Sequence, residues 1–177
     1  VTPVAHVGAG FTAADFVKIA IALDEAAQEV GVDFLGGFSA DVSGGTSSGD
    51  HELILSIPEA LTSTKKVCAS INVGTTRSGI NMDAVVMLGK TVKELAERSS
   101  DQGGFAAAKF VIFTNQPGDN PFMAGAVHGL GQPEVVINVG VSGPGVIARA
   151  LERRIAQDGS ENLGLHDLAE EIKRTAF

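Results

Sequence analysis

The sequence predicts an α/β fold, with a mostly parallel sheet flanked by helices and a single domain over residues 1–177. Strand-like runs alternate with helical patterns at a spacing of roughly thirty residues, which is the rhythm of β-α units. Two of these runs, Phe110–Phe113 and Val135–Val141, are apolar and rich in β-branched residues, as is typical of parallel strands covered on both faces. With 44% hydrophobic and 19% charged residues, the chain is able to bury one sizeable core.

The first predicted elements are a strand over Val1–Ala9 and a helix over Ala13–Val30. The apolar residues of the helix recur on one face, which indicates an amphipathic helix packed against a core. Thr12 and Asp15 have the spacing of a capping box at its start. Gly31 is expected to end it, since glycine readily adopts the left-handed conformation of a helix C-terminus.

The next stretch is predicted to contain a strand, a loop, a further strand and a helix. The strand covers Val32–Ser39, and its paired glycines indicate that another backbone segment approaches closely. The stretch Asp41–Asp50 is rich in Gly, Ser and Thr and is interpreted as a loop, either a plain connector or a lid. Beyond it, the pattern favours a strand over Glu52–Ile57 and a helix that begins at Pro58.

A third unit begins with a predicted strand over Lys66–Thr75. Asn81 is suited to cap the following helix, and Asp83 lies in its first turn, where a carboxylate complements the helix dipole. The helix is predicted to end near Arg98, and Ser99–Gly104 to form a surface turn before the next strand.

The loop after the Val135–Val141 run has the composition of an anion-binding turn. Gly143 and Gly145 allow backbone N–H groups to converge, and Pro144 presets the helix that follows. The free donors of that first turn would attract a phosphate or a carboxylate. The alternative is a plain helix start that Ser142 caps.

Polar residues follow consecutive predicted strands, at the edge where parallel sheets carry their sites. If these turns converge, they supply a guanidinium for an anionic group, carboxylates for acid-base chemistry and an imidazole. We expect Asp83, Asp119 and His128 to be the catalytic groups. The expected ligand-binding residues are Arg77, Asn81, Asn115, Asn120, Ser142, Gly143 and Gly145. The alternative takes each residue singly, as a helix cap, a turn residue or a surface group.

No metal site is predicted, and no cofactor is indicated. Asp83 and Asp119, with amide oxygens, would suit Mg²⁺ or Ca²⁺, but no spacing in the chain matches a ligand motif. The remaining histidines, His6, His51 and His166, are isolated in the sequence, which is typical of surface or cap residues.

The charge balance and the cysteine content exclude several classes of partner. A formal charge of -8 argues against binding to nucleic acid, and the one dense group of arginines, at positions 149, 153 and 154, has the spacing of a solvated helix face. No run is long enough in apolar residues to suggest a membrane span. The single cysteine, Cys68, rules out an internal disulfide and fits a reducing cytoplasm.

Six strings of the sequence resemble the uncharacterised protein family 0210, also called domain of unknown function 711. With the stretches between them, they cover essentially the whole chain: VDFLGGFSA, SIPEAL, INVGTTRSGINMDAV, DNPFMAGAVHG, VINVGVSGPGV and AEEIKRTAF. Members of that family are substantially longer, so the resemblance implies a middle portion of a longer protein. The start at Val1 without a methionine and the end at Phe177 in a helical pattern agree with this expectation.

The resemblance also implies a fold similar to pyruvate formate-lyase and anaerobic ribonucleotide reductase, whose ten-stranded α/β barrels consist of two halves. This chain has material for about one half. The family genes often lie beside a gene for a small ACT-domain protein, which implies a regulatory or ligand-sensing partner. Radical enzymes of this architecture use a cysteine, but Cys68 lies inside a predicted strand, where a free cysteine packs as a small hydrophobe. Glycyl-radical chemistry is therefore not expected.

Together these observations predict half of a pyruvate formate-lyase-like barrel with a site for a small anionic metabolite at the strand C-termini. The protein is expected to be cytoplasmic and either an enzyme or a non-catalytic ligand-binding or regulatory subunit with an ACT-domain partner. The predicted strands have too few polar residues to face water on a bare sheet. We therefore expect a homo-oligomer or pairing with the missing remainder of the barrel.

Overall fold

The computed structural model describes residues 1–140, 143–159 and 162–176, and the chain divides into two units, Val1–Val136 and Ile137–Phe177. Helices and strands alternate in the first unit, and the second holds two helices. In chain order the elements are α1 (Ala13–Val30), β1 (Leu35–Asp41), α2 (Ser48–Ser63), β2 (Val67–Thr75), β3 (Gly79–Ile80), α3 (Met82–Arg98), α4 (Phe105–Ala108), β4 (Phe110–Thr114), α5 (Gly143–Asp158) and α6 (Leu165–Ala176). Short 3₁₀ helices cover Val4–Val7, Ser100–Gln102 and Met123–Gly125.

The sheet is open and mostly parallel, which confirms the predicted fold class. β2 lies in the centre and pairs in parallel with β1 on one side and with β4 on the other. The short β3 pairs antiparallel with the end of β2. In this register Asn72 of β2 lies opposite Asp41 of β1 and Phe113 of β4. The carboxyl ends of the three parallel strands therefore meet at one edge.

One face of the sheet packs against helices and forms the hydrophobic core. Phe38 and Ala40 of β1, with Ala69 and Ile71 of β2, contribute the sheet side of the core. The helical side comes from seven fully buried residues of α1, α2 and α3: Phe16, Leu53, Ile54, Ile57, Leu61, Leu88 and Leu95. Burial of each such side chain stabilises the fold by about 1.5–3 kcal/mol relative to its exposure.

The opposite face of the sheet, here called the polar face, carries small and polar residues. Side chains alternate along a strand, so Ser39, Ser70 and Asn72 point away from the helical core, and all three are buried. The 3₁₀ segment Met123–Gly125 lies against this side of the sheet, since Gly125 contacts the side chains of Val111 and Phe113. The 3₁₀ segment Val4–Val7 contacts β1 and buries Val4 in the hydrophobic core.

Two glycines of β1 are in direct contact with the backbone of Val1 and Ala126. A Cβ at Gly36 would overlap the carbonyl oxygen of Ala126, and one at Gly37 would overlap that of Val1. Gly37 also has a φ of +109°, a backbone conformation that residues with a side chain rarely adopt. The predicted close approach at the paired glycines is confirmed.

The helix boundaries that rest on capping residues were predicted correctly. α1 covers the predicted range, with the Thr12–Asp15 capping box at its start and Gly31 in the left-handed conformation (φ 82°) at its end. The Asn81 side chain accepts a hydrogen bond from the backbone N–H of Ala84 at 3.1 Å and so caps α3. Local chemistry determines these ends.

The prediction of a strand over Glu52–Ile57 and a helix start at Pro58 is wrong, because a single helix runs through both. The N–H and hydroxyl of Ser47 donate to the Asp50 carboxylate at 2.9 and 2.7 Å, and this capping box starts α2 earlier than expected. Pro58 lies inside the helix. The buried apolar side chains of α2 outweigh the loss of one backbone hydrogen bond at the proline.

Two further predicted strands are absent from the described structure. Val4–Val7 forms a 3₁₀ turn, closed by a hydrogen bond from the His6 N–H to the Pro3 carbonyl at 3.1 Å. Residues 135–140 have no regular structure and are exposed for the most part, and Val141 lies outside the described residues. β-branched composition alone does not make a strand, since a strand requires a partner for its backbone.

The second unit consists of the amphipathic helices α5 and α6, which pack against each other. Arg149 pairs with Glu152 at 2.9 Å and Arg154 with Asp158 at 2.8 Å along the surface of α5. These exposed ion pairs fit the predicted solvated face of this helix. Within the described ranges, no helix combines the length and the apolar character that a membrane span requires.

Candidate functional site

A cavity of about 590 Å³ opens at the edge of the sheet where all three parallel strands end. We call it the carboxyl-edge cavity. Ser39 and Asp41 of β1 and Asn72 of β2 line it, together with Gln116–Gly118, which begin two residues after the end of β4. Open parallel sheets hold their ligands at this edge, so the cavity is the candidate functional site.

Segments from elsewhere in the first unit complete the walls of this cavity. His6 and Pro3 come from the first 3₁₀ segment, and the Ser47–Asp50 capping box comes from the start of α2. The far wall belongs to residues 116–130, which we call the return segment because it leaves β4 and folds back along the polar face. The cavity is therefore enclosed by the strand ends, the first 3₁₀ segment, the start of α2 and the return segment.

A hydrogen-bond network joins the strand ends. The backbone N–H of Ser43 donates to the Asp41 carboxylate at 2.9 Å, and the Asn72 side chain donates to the same carboxylate. Burial opposes ionisation of Asp41 and is the largest single influence. The hydrogen bonds from Ser43 and Asn72 together outweigh it, so the pKa of Asp41 lies below its ordinary value of 3.8. Asp41 is therefore ionised at neutral pH.

The network continues from the strand ends into the return segment. The side-chain amide of Gln116 donates to the Gly125 carbonyl at 2.8 Å and to the Ser70 hydroxyl at 3.4 Å. Asn120 is buried and donates to the same Gly125 carbonyl at 3.2 Å. The structure thus places Asn120 where it holds the return segment against the polar face.

Asn115 and Arg77, both predicted to bind ligand, lie on turns at the same edge of the sheet. Asn115 is the one non-glycine residue of the described chain with positive φ (54°). Its side chain accepts hydrogen bonds from the N–H and hydroxyl of Thr76 at 2.8 and 3.0 Å, which ties the β2–β3 turn to the end of β4. Arg77 lies at the tip of that turn, is exposed and forms no ion pair with the described residues.

Asn81 and Asp83 line a different cavity, of about 580 Å³, between the β1–α2 loop and the start of α3. His51 and the 43–46 loop also line it. The Asn81 amide donates to the Val42 carbonyl at 2.8 Å and so holds this loop at one end. The structure does not bring Asp83 to the carboxyl-edge cavity.

Asp119 and His128 lie opposite each other within the return segment. The N–H of Gly129 donates to the Gly118 carbonyl at 2.6 Å, and the N–H of Val127 donates to the Asn120 carbonyl at 2.9 Å. These two bonds flank Asp119 and His128. Of the residues described here, Gly118, Val127 and Gly129 line the carboxyl-edge cavity in their place. The catalytic roles of Asp119, His128 and Asp83 stay predictions.

Gly143 and Gly145 lie in the first turn of α5, in the second unit. The turn chemistry of this stretch therefore yields the helix start that the sequence predicts. Ser142, the predicted cap, lies outside the described residues.

A further cavity, of about 470 Å³, opens at the amino edge of the sheet and contains the buried Lys109. The Lys109 ammonium donates to the carbonyls of Leu61 and Thr64 at 2.7 and 2.6 Å. Burial lowers its pKa from the ordinary value of 10.5. A cation at the C-terminus of α2 complements the helix dipole, so Lys109 serves the fold.

Neither the acidic groups nor the cysteine of the described structure suggests metal or thiol chemistry. No group of three His, Cys, Asp or Glu side chains within the described ranges is close enough to hold a metal ion. Cys68 is fully buried in β2, and burial raises the pKa of its thiol. It packs as the small hydrophobe that the sequence predicts.

Comparison with known proteins identifies the family. The model described as "Uncharacterised ACR (DUF711)" matches residues 1–177, the whole chain. The chain belongs to this family. It is 57% identical over its full length to a UPF0210 protein of Methanosarcina mazei and 56% identical to one of Methanococcoides burtonii. A UPF0210 protein of Oleidesulfovibrio alaskensis is 55% identical over the same range. The chain spans 38% of the length of each of these three relatives.

The sequence of this DUF711 chain predicts only some of the residues that line the cavity. Asn115 and Asp119, the predicted site residues, follow β4, whereas Gln116, between them, lines the cavity. Asn72 lies inside a strand, and its only sequence signal is a polar residue in an otherwise apolar run. His6 precedes the first predicted helix and is isolated in the sequence. Its position beside β1 results from tertiary folding.

Proposed function

We propose that this chain binds a small polar metabolite in the carboxyl-edge cavity, as part of the pyruvate formate-lyase-like barrel that the resemblance implies. The observation that carries the proposal is that β1, β2 and the segment after β4 supply polar groups to one cavity of about 590 Å³. That volume falls in the range of small-molecule sites, and the position is where α/β sheets bind ligands.

Binding is favoured over acid-base catalysis by the state of Asp41. Its lowered pKa keeps the carboxylate ionised at neutral pH, which suits a group that accepts hydrogen bonds from a ligand. A general acid would need a raised pKa. The proposed role is therefore that of a ligand-binding or regulatory subunit, in a cytoplasmic protein, with the ACT-domain protein as its partner. Enzymatic activity through Asp119, His128 and Asp83 is the alternative, without glycyl-radical chemistry.

The start of α5 is proposed as an anion site in its own right. α5 is 16 residues long and begins at Gly143, so its first-turn N–H groups and the positive end of its dipole favour a phosphate or a carboxylate. Titration with inorganic phosphate, followed by NMR, should shift the amides of Gly143 and Gly145. If neither amide shifts, α5 has no anion site.

A plugging substitution tests the metabolite site. His6 is exposed, lines the cavity and makes no side-chain hydrogen bond with a described residue, so His6→Trp should narrow the mouth without breaking a contact. Val7→Trp is the matched control, since Val7 is 67% exposed and is not among the described lining residues. Small molecules released by denaturation should be detected by mass spectrometry from the wild type and Val7→Trp but be depleted in His6→Trp. Equal amounts from all three would refute the proposal.

The proposed partner surface includes the exposed apolar run after the return segment. Val135, Ile137 and Val139 are 75%, 86% and 87% exposed, which is unusual for a monomer in water. We expect a second copy or the remainder of the barrel to cover them. Light scattering should therefore give a mass above 18.1 kDa for the isolated chain, and Ile137→Asp should lower it. A stable monomer would contradict self-association.

A further inference from the structure

The side-chain amides at the carboxyl-edge cavity have fixed orientations, because each contacts a group that can play only one role. The backbone N–H of Gln116 donates to the Asn72 Oδ1 atom at 3.4 Å. A backbone N–H only donates, so the Asn72 oxygen must face Gln116, and its NH₂ group lies on the other side of the amide. Asp41 is the cross-strand neighbour of Asn72, and a hydrogen bond from the Asn72 side chain is among the causes that lower the pKa of Asp41.

The same reasoning applies to the side chain of Gln116. Its Nε2 atom donates to the Gly125 carbonyl at 2.8 Å and to the Ser70 hydroxyl at 3.4 Å. A carbonyl only accepts, so the NH₂ group must lie on that side. The other atom of the amide, Oε1, accepts no hydrogen bond from a described residue. Gln116 therefore offers the cavity an acceptor and no free donor.

The charged groups around the cavity are acceptors as well. Asp41 and Asp50 contribute carboxylates, and of the lining residues that the structure describes, none is a lysine or an arginine. The hydroxyl of Ser47 is already committed to Asp50 at 2.7 Å. The start of α2 offsets part of the charge of Asp50, so Asp41 is the principal anionic group. Among the lining residues that the structure describes, His6 is the one whose side-chain donor has no acceptor.

We infer that the carboxyl-edge cavity selects a small organic molecule that carries a primary ammonium group. An ammonium offers three donors to a cavity in which the side-chain donors of the described lining residues, apart from His6, are engaged, and its charge complements Asp41. The described residues include no cluster able to hold a metal ion, so an organic cation fits better than a metal. This inference rests on the proposed function and names the ligand class for the same site.

A series of four-carbon compounds with different head groups tests the inference. n-Butylamine, 1-butanol and butyrate have similar size, and at neutral pH they present an ammonium, a hydroxyl and a carboxylate. In amide NMR titrations of the full chain, n-butylamine should shift the signals of Asp41, Asn72 and Gly118, with a dissociation constant on the order of 1 mM. Binding of 1-butanol and butyrate should be at least about tenfold weaker, because they lack a charge-assisted bond to Asp41.

Two variants separate the cavity from general charge effects. Asp41→Asn should weaken n-butylamine binding about tenfold, since it removes the charge that pairs with the ammonium. Asp33→Asn, at an exposed carboxylate not found among the described lining residues, should leave it unchanged. If Asp41→Asn fails to fold, a wild-type titration at low and high salt replaces it, and high salt should weaken binding.

Several outcomes would overturn the inference. Equal binding of 1-butanol, an unchanged affinity in Asp41→Asn or at high salt, or an absence of shifts with all three compounds would each exclude ammonium selection. Preferred binding of butyrate at the same amides would overturn it too, but would leave a small-molecule site in place. The His6→Trp experiment tests that site separately, so the two failures are distinguishable.

Discussion

The buried carboxylate of Asp24 on α1 connects this helix to the central strand, and its replacement tests how much that connection stabilises the fold. One oxygen of Asp24 accepts hydrogen bonds from the backbone N–H groups of Lys65 and Lys66 at 3.0 and 2.6 Å, where the chain enters β2. The other oxygen accepts from the Gln28 side chain at 2.8 Å. Asp24 therefore attaches α1 to the start of the central strand.

Replacement of Asp24 should reduce the free energy of unfolding by an amount that depends on the substitute. A hydrogen bond to a charged group contributes about 1.5–3 kcal/mol, so Asp24→Ala, which leaves two backbone donors without their acceptor, should cost about 3–4 kcal/mol. Asp24→Asn keeps one carbonyl acceptor but loses the charge. Its cost should be about 1–2 kcal/mol.

Urea unfolding followed by circular dichroism is the appropriate assay, because the chain contains no tryptophan or tyrosine for fluorescence. Glu25→Gln is the matched control, since Glu25 is the next residue of α1 and is exposed. It should change the unfolding free energy by less than about 0.5 kcal/mol. A cost below about 1 kcal/mol for Asp24→Ala would refute the reasoning.

The pH dependence gives an independent check on Asp24. Burial opposes its ionisation and is the largest influence, but the hydrogen bonds from Lys66, Gln28 and Lys65 outweigh it and lower the pKa from 3.8. A carboxyl whose pKa is lower in the folded state stabilises the fold above the unfolded value and loses that contribution as the pH falls through the folded value. The difference between the wild type and Asp24→Asn should therefore shrink below pH 3.8. An unchanged difference would show that charge is not the cause.

Three further substitutions test other contacts by the same urea assay. Lys109→Met should destabilise the chain by about 2 kcal/mol, because two buried carbonyls at the end of α2 lose their donor. Burial lowers the pKa of Lys109 below 10.5, so between the folded and the unfolded pKa the unfolded state binds more protons. The free energy of unfolding of the wild type should therefore increase relative to that of Lys109→Met as the pH rises towards 10.5. A difference that does not change with pH would contradict this. Asn115→Gly should cost about 1 kcal/mol through the lost bonds to Thr76, and Asn115→Ala about 1 kcal/mol more, since only alanine also bears the strain of positive φ. Equal losses of stability in the glycine and the alanine variant would show that the positive φ at position 115 causes no strain. Pro58→Ala should stabilise α2 by about 1 kcal/mol by restoring a backbone donor inside the helix, and any loss of stability would show that the proline ring is needed for packing.

The parts of the fold that follow from local chemistry were predictable from the sequence. The ends of α1 and α3 depend on residues that contact their own helix, such as Thr12, Gly31 and Asn81. The strands β1, β2 and β4 are apolar runs bounded by turn signals, and they were found to within about three residues, a usual error for strand ends.

The elements that depend on distant partners were not predictable in this way. Residues 52–57 alternate weakly and also place Leu53, Ile54 and Ile57 on one helical face, so periodicity alone leaves both structures open. The runs at 1–9 and 135–140 have the composition of strands, but a strand forms only where another supplies hydrogen bonds. In the described structure Val1 exchanges backbone hydrogen bonds with Gly36 and His128, but neither stretch forms a ladder with a neighbouring strand.

For the candidate site, too, the position follows from the sequence pattern but the identity of the lining residues does not. The sequence predicts a site at the carboxyl edge of a parallel sheet, and the cavity lies at that edge. The identity of the lining residues depends on how the return segment folds back, which brings Gln116 and Gly129 inward instead of Asp119 and His128. Backbone hydrogen bonds between residues 118 and 129 determine that choice, and no side-chain pattern encodes them.

The contact at Gly36 has a consequence for any redesign of the cavity. At an ordinary core position, an apolar residue of another size is often accommodated by repacking of its neighbours. At Gly36 the neighbour is the carbonyl of Ala126, so any side chain would push the return segment off the sheet and would deform the cavity wall with it. Variation in ligand preference is therefore best sought at Pro117 and Leu130, which line the cavity from exposed positions of the return segment. Libraries should hold Gly36 fixed and vary those two residues.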